Sequence, residues 1–148
     1  MRLPRKPPRT GLAYVAVRVL VYLAALIPIV FIYSSRERAL LVAPPIGLIC
    51  AAAMWYLLSD TPVVGTRRVV LAAGVGLVMA ELAWGLGYWT VVPFVGGAGL
   101  WLAFYVLSGI VENGAAQTLD RRIVLEYGFV AVVGVLVVMV APWRTAVG

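Results

Sequence analysis

Five apolar segments alternate with short polar segments along the chain. Each is about twenty residues long, and a helix of that length, rising about 1.5 Å per residue, crosses the ~30 Å hydrocarbon core of a bilayer. The pattern predicts an all-α integral membrane protein, a bundle of five transmembrane helices within a single domain of residues 12–144. The predicted spans are residues 12–33, 39–58, 69–89, 93–111 and 123–141.

The composition indicates that these segments face lipid. Hydrophobic residues make up 64% of the chain and charged residues 12%. A soluble domain of 148 residues would leave large apolar patches in water at this composition. We therefore expect a multi-pass protein of a bacterial-type plasma membrane.

The basic residues predict the orientation of the helices. Nine of the twelve Lys and Arg residues lie in the arm of residues 1–11, at Arg18, or in the loops 59–68 and 112–122. Positive charge favours the cytoplasmic side, so we expect a cytoplasmic amino terminus and an external tail at residues 145–148. The basic arm would contact the anionic cytoplasmic leaflet, and no nucleic-acid partner is expected.

One ionisable residue, Glu81, lies well inside the third span. A carboxylate in hydrocarbon costs a few kcal/mol and needs a partner. By depth it is level with Pro44-Pro45, which leave backbone carbonyls without helical donors, and with a glycine-rich stretch of the fourth span. A protonated Glu81 would donate a hydrogen bond to such a carbonyl. The predicted intramembrane polar site consists of Glu81, Trp84, Tyr88, Pro44, Pro45, Gly96 and Gly97.

Two further sets of residues are predicted to join helices. Small residues follow one face of the third span and would let another helix approach closely. That face consists of Ala72, Gly76, Ala80, Ala83 and Gly87. Arg18 in the first span and Glu126 in the fifth lie at similar depth and form a candidate ion pair, with snorkelling of Arg18 to the headgroups as the alternative. Spans three and four, joined by a short connection, could also form a re-entrant pair instead of two spans.

The sequence contains few groups for catalysis or metal binding. It has no histidine, and Cys50 is its only cysteine. This excludes an intrachain disulfide and any histidine-containing metal site within the chain. Phosphate-binding glycine motifs and nucleophile motifs are also missing. We expect no enzyme activity, catalytic residue, cofactor or metal.

A segment near the carboxyl terminus carries a family resemblance. Its features are Tyr105, Leu107 and Gly109, followed by Arg121-Arg122 and Glu126-Tyr127. Through these features residues 100–133 resemble the end of small multi-pass bacterial membrane proteins classed only as a domain of unknown function. The resemblance implies no activity, and it favours Arg122 and Glu126 as structurally important positions.

Two classes of function remain open. The first is a non-enzymatic packing or accessory subunit that associates with itself or with another membrane protein. It is favoured by the small-residue face and the missing catalytic groups. The alternative is a carrier of a small solute, of protons or of a lipid-linked sugar, with Glu81 as its titrating group. The two differ in whether Glu81 makes a structural hydrogen bond or is reached by water.

Overall fold

The computed structural model describes residues 11–35, 39–88, 92–117 and 120–145. These ranges form five α-helices and no strand, with a short 3-10 turn at Leu58–Asp60 after the second helix. The helices are α1 (Leu12–Ser34), α2 (Ala39–Leu57), α3 (Thr66–Leu86), α4 (Pro93–Ala115) and α5 (Arg121–Thr145).

The predicted all-helical architecture is confirmed, and most helix ends lie within a few residues of the predicted ones. The difference with the largest effect on the site is at α4, which continues to Ala115 instead of ending at residue 111. The helix passes through Asn113-Gly114, which lie in the predicted loop 112–122, and a residue with positive φ, Gln117 at 57°, follows the end of the helix. Glu112 is therefore part of the helix and not of a loop, because a helix does not have to end where hydropathy falls.

Four of the described helical segments are long and apolar enough to cross a membrane. They are Leu12–Ser34, Leu40–Asp60, Thr66–Leu86 and Pro93–Ala115. Helix α5 is not among them, so the five-span count and the orientation of the termini stay predictions.

Neighbouring helices run in opposite directions. Side-chain contacts join the start of α1 to the end of α4, and Arg68 at the start of α3 to Trp55 at the end of α2. We call the end of the bundle where α1, α3 and α5 begin the near end, and the opposite end the far end. Arg68 donates from Nε to the Trp55 carbonyl at 3.0 Å, and its guanidinium carbon lies 4.4 Å from the centre of the indole.

Helices α2 and α3 form the most extensive contact in the bundle. Their backbones touch at Gly47 and Gly76, where a Cβ built on Gly76 would lie 2.6 Å from the Gly47 carbonyl oxygen. Ala72 and Ala83 on the same helix are also buried. Within the predicted small-residue face, Gly76 and Ala80 therefore contact α2 of the same chain, whereas Gly87 follows α3 and is exposed.

The interior and the outer surface are both apolar. Large side chains without exposed area fill the centre of the bundle, among them Ile29, Ile46, Met54, Met79, Leu100 and Phe104. Outward-facing side chains are also large and apolar, as at Phe31, which is 74% exposed, and Leu77, which is 63% exposed. Such a surface suits contact with lipid rather than with water.

Replacing Gly76 by alanine should destabilise the bundle, because its methyl group would meet the Gly47 carbonyl and the Ala51 side chain of α2. We expect a loss of about 1–3 kcal/mol, the usual cost of overpacking. Thermal unfolding of the detergent-purified protein, followed by size-exclusion chromatography, measures the change.

The matched control is Gly74→Ala, two residues away on the same helix. A Cβ at Gly74 meets no atom of a neighbouring helix within 4 Å. We expect it to leave stability unchanged or to raise it by up to about 1 kcal/mol through helix propensity. Equal destabilisation by both substitutions would contradict the glycine contact.

Candidate functional site

An ion pair joins α1 to α4 at the near end of the bundle. Arg18 donates from Nη2 to Oε2 of Glu112. The Glu112 side chain is only 9% exposed, whereas that of Arg18 is 31% exposed. The other terminal nitrogen of Arg18, Nη1, donates to the Tyr14 hydroxyl at 2.8 Å. A buried carboxylate is thus compensated by a guanidinium that still reaches the surface.

Helical spacing aligns further polar groups with this pair. Residues four apart lie on one face of a helix, so Tyr22 follows Arg18 on α1 and Ser108 precedes Glu112 on α4. The Tyr22 and Ser108 hydroxyls are 3.0 Å apart, and the Trp101 indole N–H donates to the Tyr22 carbonyl at 2.9 Å. We call this set the polar seam; its members are Tyr14, Arg18, Tyr22, Trp101, Ser108 and Glu112.

Aromatic rings extend the polar seam towards α5. The Tyr105 ring lies 5.3 Å from that of Tyr22 and 5.8 Å from that of Tyr127, measured between ring centres. The Tyr127 ring occupies the space that a Cβ on Gly109 would take. Gly109 therefore lets α5 dock on α4 beside the seam.

One atom of the seam lacks a partner. Oε1 of Glu112 is buried and accepts no hydrogen bond from any residue that the structure describes. An unpaired buried acceptor costs about 1–3 kcal/mol. Because Arg18 already balances the charge of Glu112, the free oxygen is suited to a small neutral donor rather than to a second cation. The seam can thus hold two helices together and accept one more hydrogen bond.

The described part of the chain contains no group of three metal-ligating side chains. It also presents no nucleophile beside a general base within the seam, since Ser108 is bonded to Tyr22 and to the Tyr105 carbonyl. The contacts that the structure shows within the seam are a charge pair and hydrogen bonds.

Arg18 was predicted to pair with Glu126, but in the structure it pairs with Glu112. Glu126 is exposed on α5, and α5 packs mainly against α4 rather than α1. Sequence reasoning missed Glu112 because it was assigned to the loop after the fourth span. The four-residue spacing of Tyr14, Arg18 and Tyr22, matched by Ser108 and Glu112, was the signal that could have found the seam.

The residues of the predicted Glu81 site lie on different surfaces. Glu81 is exposed on α3, next to the exposed Trp84 and Tyr88, whose rings are 6.2 Å apart. Within the described ranges Glu81 makes no hydrogen bond and no ion pair. It faces away from the bundle and so does not lie in an enclosed pocket.

The remaining members of that predicted site face elsewhere. Gly96 is buried against the Tyr33 ring of α1, and Gly97 lies close to Val30. Tyr33 also donates its hydroxyl to the Leu86 carbonyl at 3.0 Å, which ties the far ends of α1 and α3 together. On α2, which runs as a helix through both prolines, Pro44 is exposed and Pro45 is half-buried.

The Arg18–Glu112 pair predicts a characteristic pattern of stabilities. Glu112→Leu strands the guanidinium of Arg18 and should lower the free energy of unfolding by about 1–3 kcal/mol, less than for a fully buried pair because Arg18 is partly exposed. The double change Arg18→Met and Glu112→Leu should recover most of this loss, since apolar replacement of a buried pair is often neutral. Chemical or thermal unfolding in detergent measures both.

Glu126→Leu is the control for this experiment, because Glu126 is an exposed carboxylate near the same end of the bundle. It should change stability by no more than about 0.5 kcal/mol, and it should not couple to Arg18→Met. Stronger coupling of Arg18 to Glu126 than to Glu112 would contradict the observed pairing.

A protein-family model matches most of this chain. The model of a family described as "Protein of unknown function (DUF5656)" matches residues 1–141. No curated protein and no solved structure matches the chain. The resemblance seen at residues 100–133 is thereby confirmed and extends over nearly the whole sequence. The chain belongs to the DUF5656 family, a family of unknown function.

Proposed function

We propose that this chain is a non-enzymatic, multi-pass plasma-membrane protein that serves as a packing or accessory subunit of a membrane assembly. Four helices long and apolar enough to span a bilayer support the membrane assignment. The apolar outer surface supports it as well, because such side chains are stable against lipid.

The observation that carries the accessory role is the outward position of Glu81. It lies about 22 Å along α3 from Thr66, counted at the helical rise, which places it within the hydrocarbon if α3 spans the membrane. A carboxylate facing lipid there costs a few kcal/mol. Contact with a second membrane protein would remove that cost, so an unpartnered Glu81 favours association.

The contact between α2 and α3 determines which face of α3 is free to bind another protein. The small-residue face was expected to let another helix approach closely, and the contact of Gly76 with Gly47 and Ala51 supports α2 of the same chain as that helix. The opposite face of α3, with Glu81, Trp84 and Tyr88, is uncovered. We therefore assign the association surface to this second face.

The carrier alternative has less support. A carrier that uses Glu81 needs an enclosed path through which water or solute reaches the carboxylate. The exposed position of Glu81 on the outside of the bundle, with Gly96 and Gly97 packed against α1, does not supply such a path within one chain.

The distribution of basic residues supports the proposed orientation. Arg67 and Arg68 begin α3, and Arg121 and Arg122 begin α5, so all four lie at the near end. The positive-inside rule then makes the near end cytoplasmic. Reporter fusions test this: those after Arg68 and after Arg122 should read cytoplasmic, and one after Arg144 should read external. A cytoplasmic carboxyl terminus would exclude the five-span topology.

Substitutions of Glu81 separate the accessory role from the carrier. Glu81→Gln keeps a group of similar size that still accepts a hydrogen bond, so it should lower abundance and assembly less than Glu81→Leu does. Glu81→Leu should lower both, because it strands the group that Glu81 contacts in the partner. Native gel electrophoresis of membranes dissolved in digitonin measures the assembled fraction.

The wild-type chain running only as a monomer in digitonin would overturn the accessory role. Normal assembly of Glu81→Gln together with loss of a cellular phenotype of the wild type would favour the carrier instead. Glu126→Leu is the control for the removal of an exposed carboxylate from an apolar helix, and it should leave assembly unchanged.

A further inference from the structure

We propose that the outer face of α3 binds a transmembrane helix of a different membrane protein, and that this helix carries a lysine or arginine level with Glu81. The proposal rests on the accessory role and names the chemistry of the partner. The docking face consists of Gly74, Val78, Glu81, Gly85 and Tyr88, which are all exposed.

The spacing of the docking face fits a helix-helix contact. Its members follow one another at intervals of four, three, four and three residues. This alternation averages 3.5 residues per turn, the repeat of a left-handed contact between two helices crossing at about 20°. The face is therefore a narrow stripe from Gly74 to Gly85 of α3, continued by Tyr88 in the turn that follows, along which one partner helix can pack.

The glycines of the docking face leave room for a partner backbone. A Cβ at Gly74 or Gly85 would meet no atom of a neighbouring helix within 4 Å, whereas Gly76 is in contact with α2. Glycine inside a helix is less favourable than alanine, and at these two positions no contact with the described residues compensates for it. Another helix that approaches closely at Gly85, one turn beyond Glu81, and at Gly74, two turns before it, would supply that contact.

Glu81 determines the charge of the occupant. It lies at the centre of the stripe, five residues before the end of α3 at Leu86, and has no partner among the described residues. A carboxylate surrounded by apolar side chains and lipid is stabilised most by an opposite charge or a strong donor at the same depth. A basic residue in the partner helix provides both.

A second copy of this chain is a poorer occupant. Two copies meeting through the same face would bring one Glu81 towards the other, and like charges disfavour that contact. Five basic residues, Arg18, Arg67, Arg68, Arg121 and Arg122, lie towards the near end, and Arg18 is already paired with Glu112. In a copy of the same orientation, none of these five is therefore level with Glu81.

The test uses a designed single-span helix as the probe. The full chain is co-expressed in the same membrane with a leucine–alanine helix that carries one lysine five residues from its external end. Matched probes carry leucine or glutamate at that position. Association is measured by energy transfer between fluorescent proteins fused to the chain and to the probe.

The lysine probe should associate about tenfold more strongly than the leucine probe, as expected for a polar contact of about 1–2 kcal/mol between model membrane helices. Glu81→Leu should abolish this preference. Glu81→Lys should transfer the preference to the glutamate probe, and Glu126→Lys should not. Equal association of the lysine and leucine probes with the wild type would overturn the proposal, as would a preference that survives Glu81→Leu.

Two controls make the outcomes distinguishable. The unfolding temperature of each variant in detergent should match the wild type, because Glu81 is exposed in the isolated chain. Homotypic energy transfer as strong as that of the lysine probe, and lost in Glu81→Leu, would make a second copy the occupant and overturn the proposal. Native assemblies that persist in Glu81→Leu would overturn it while leaving the accessory role intact.

Discussion

The position of α1 depends on the ion pair between Arg18 and Glu112. Ala25 and Ile29 are the only buried residues of α1, so burial of apolar side chains holds this helix weakly. Polar and aromatic contacts add to this: the Arg18–Glu112 pair, the Tyr22 hydroxyl on Ser108, and Tyr33 at the far end. Between two apolar helices such groups have few alternative partners, so the pair fixes the register of α1 against α4.

The other half of the bundle is held by a different kind of contact. Helices α2 and α3 meet through Gly47 and Gly76, whose backbones approach too closely to admit side chains. In an apolar surrounding, the hydrophobic effect does little to bring helices together, and close packing of small residues supplies the attraction. The bundle therefore combines a dry backbone contact at α2–α3 with a polar side-chain contact at α1–α4.

The helices could be predicted from the sequence, whereas the partner of Arg18 could not. Runs of about twenty apolar residues locate helices well, because few other structures hide their backbone groups. The two faces of α3 also followed from helical periodicity, but periodicity does not tell which face meets α2. From its depth alone, Glu126 in the fifth span was a suitable partner for Arg18. The hydropathy pattern did not reveal that α5 packs on α4. Glu112 was missed because hydropathy falls before α4 ends.

Glu81 and Glu112 show how position decides the role of a carboxylate in an apolar helix. Both are on helices of more than twenty residues, and both carry the cost of an ionisable group among apolar side chains. Glu112 is buried, and Arg18 of the same chain balances its charge, so this carboxylate stabilises the contact of α1 with α4. Glu81 is exposed and makes no hydrogen bond or ion pair with any residue that the structure describes. The proposed contact with another membrane protein would compensate this cost, which is why the proposed association surface is placed on α3 and not on the polar seam.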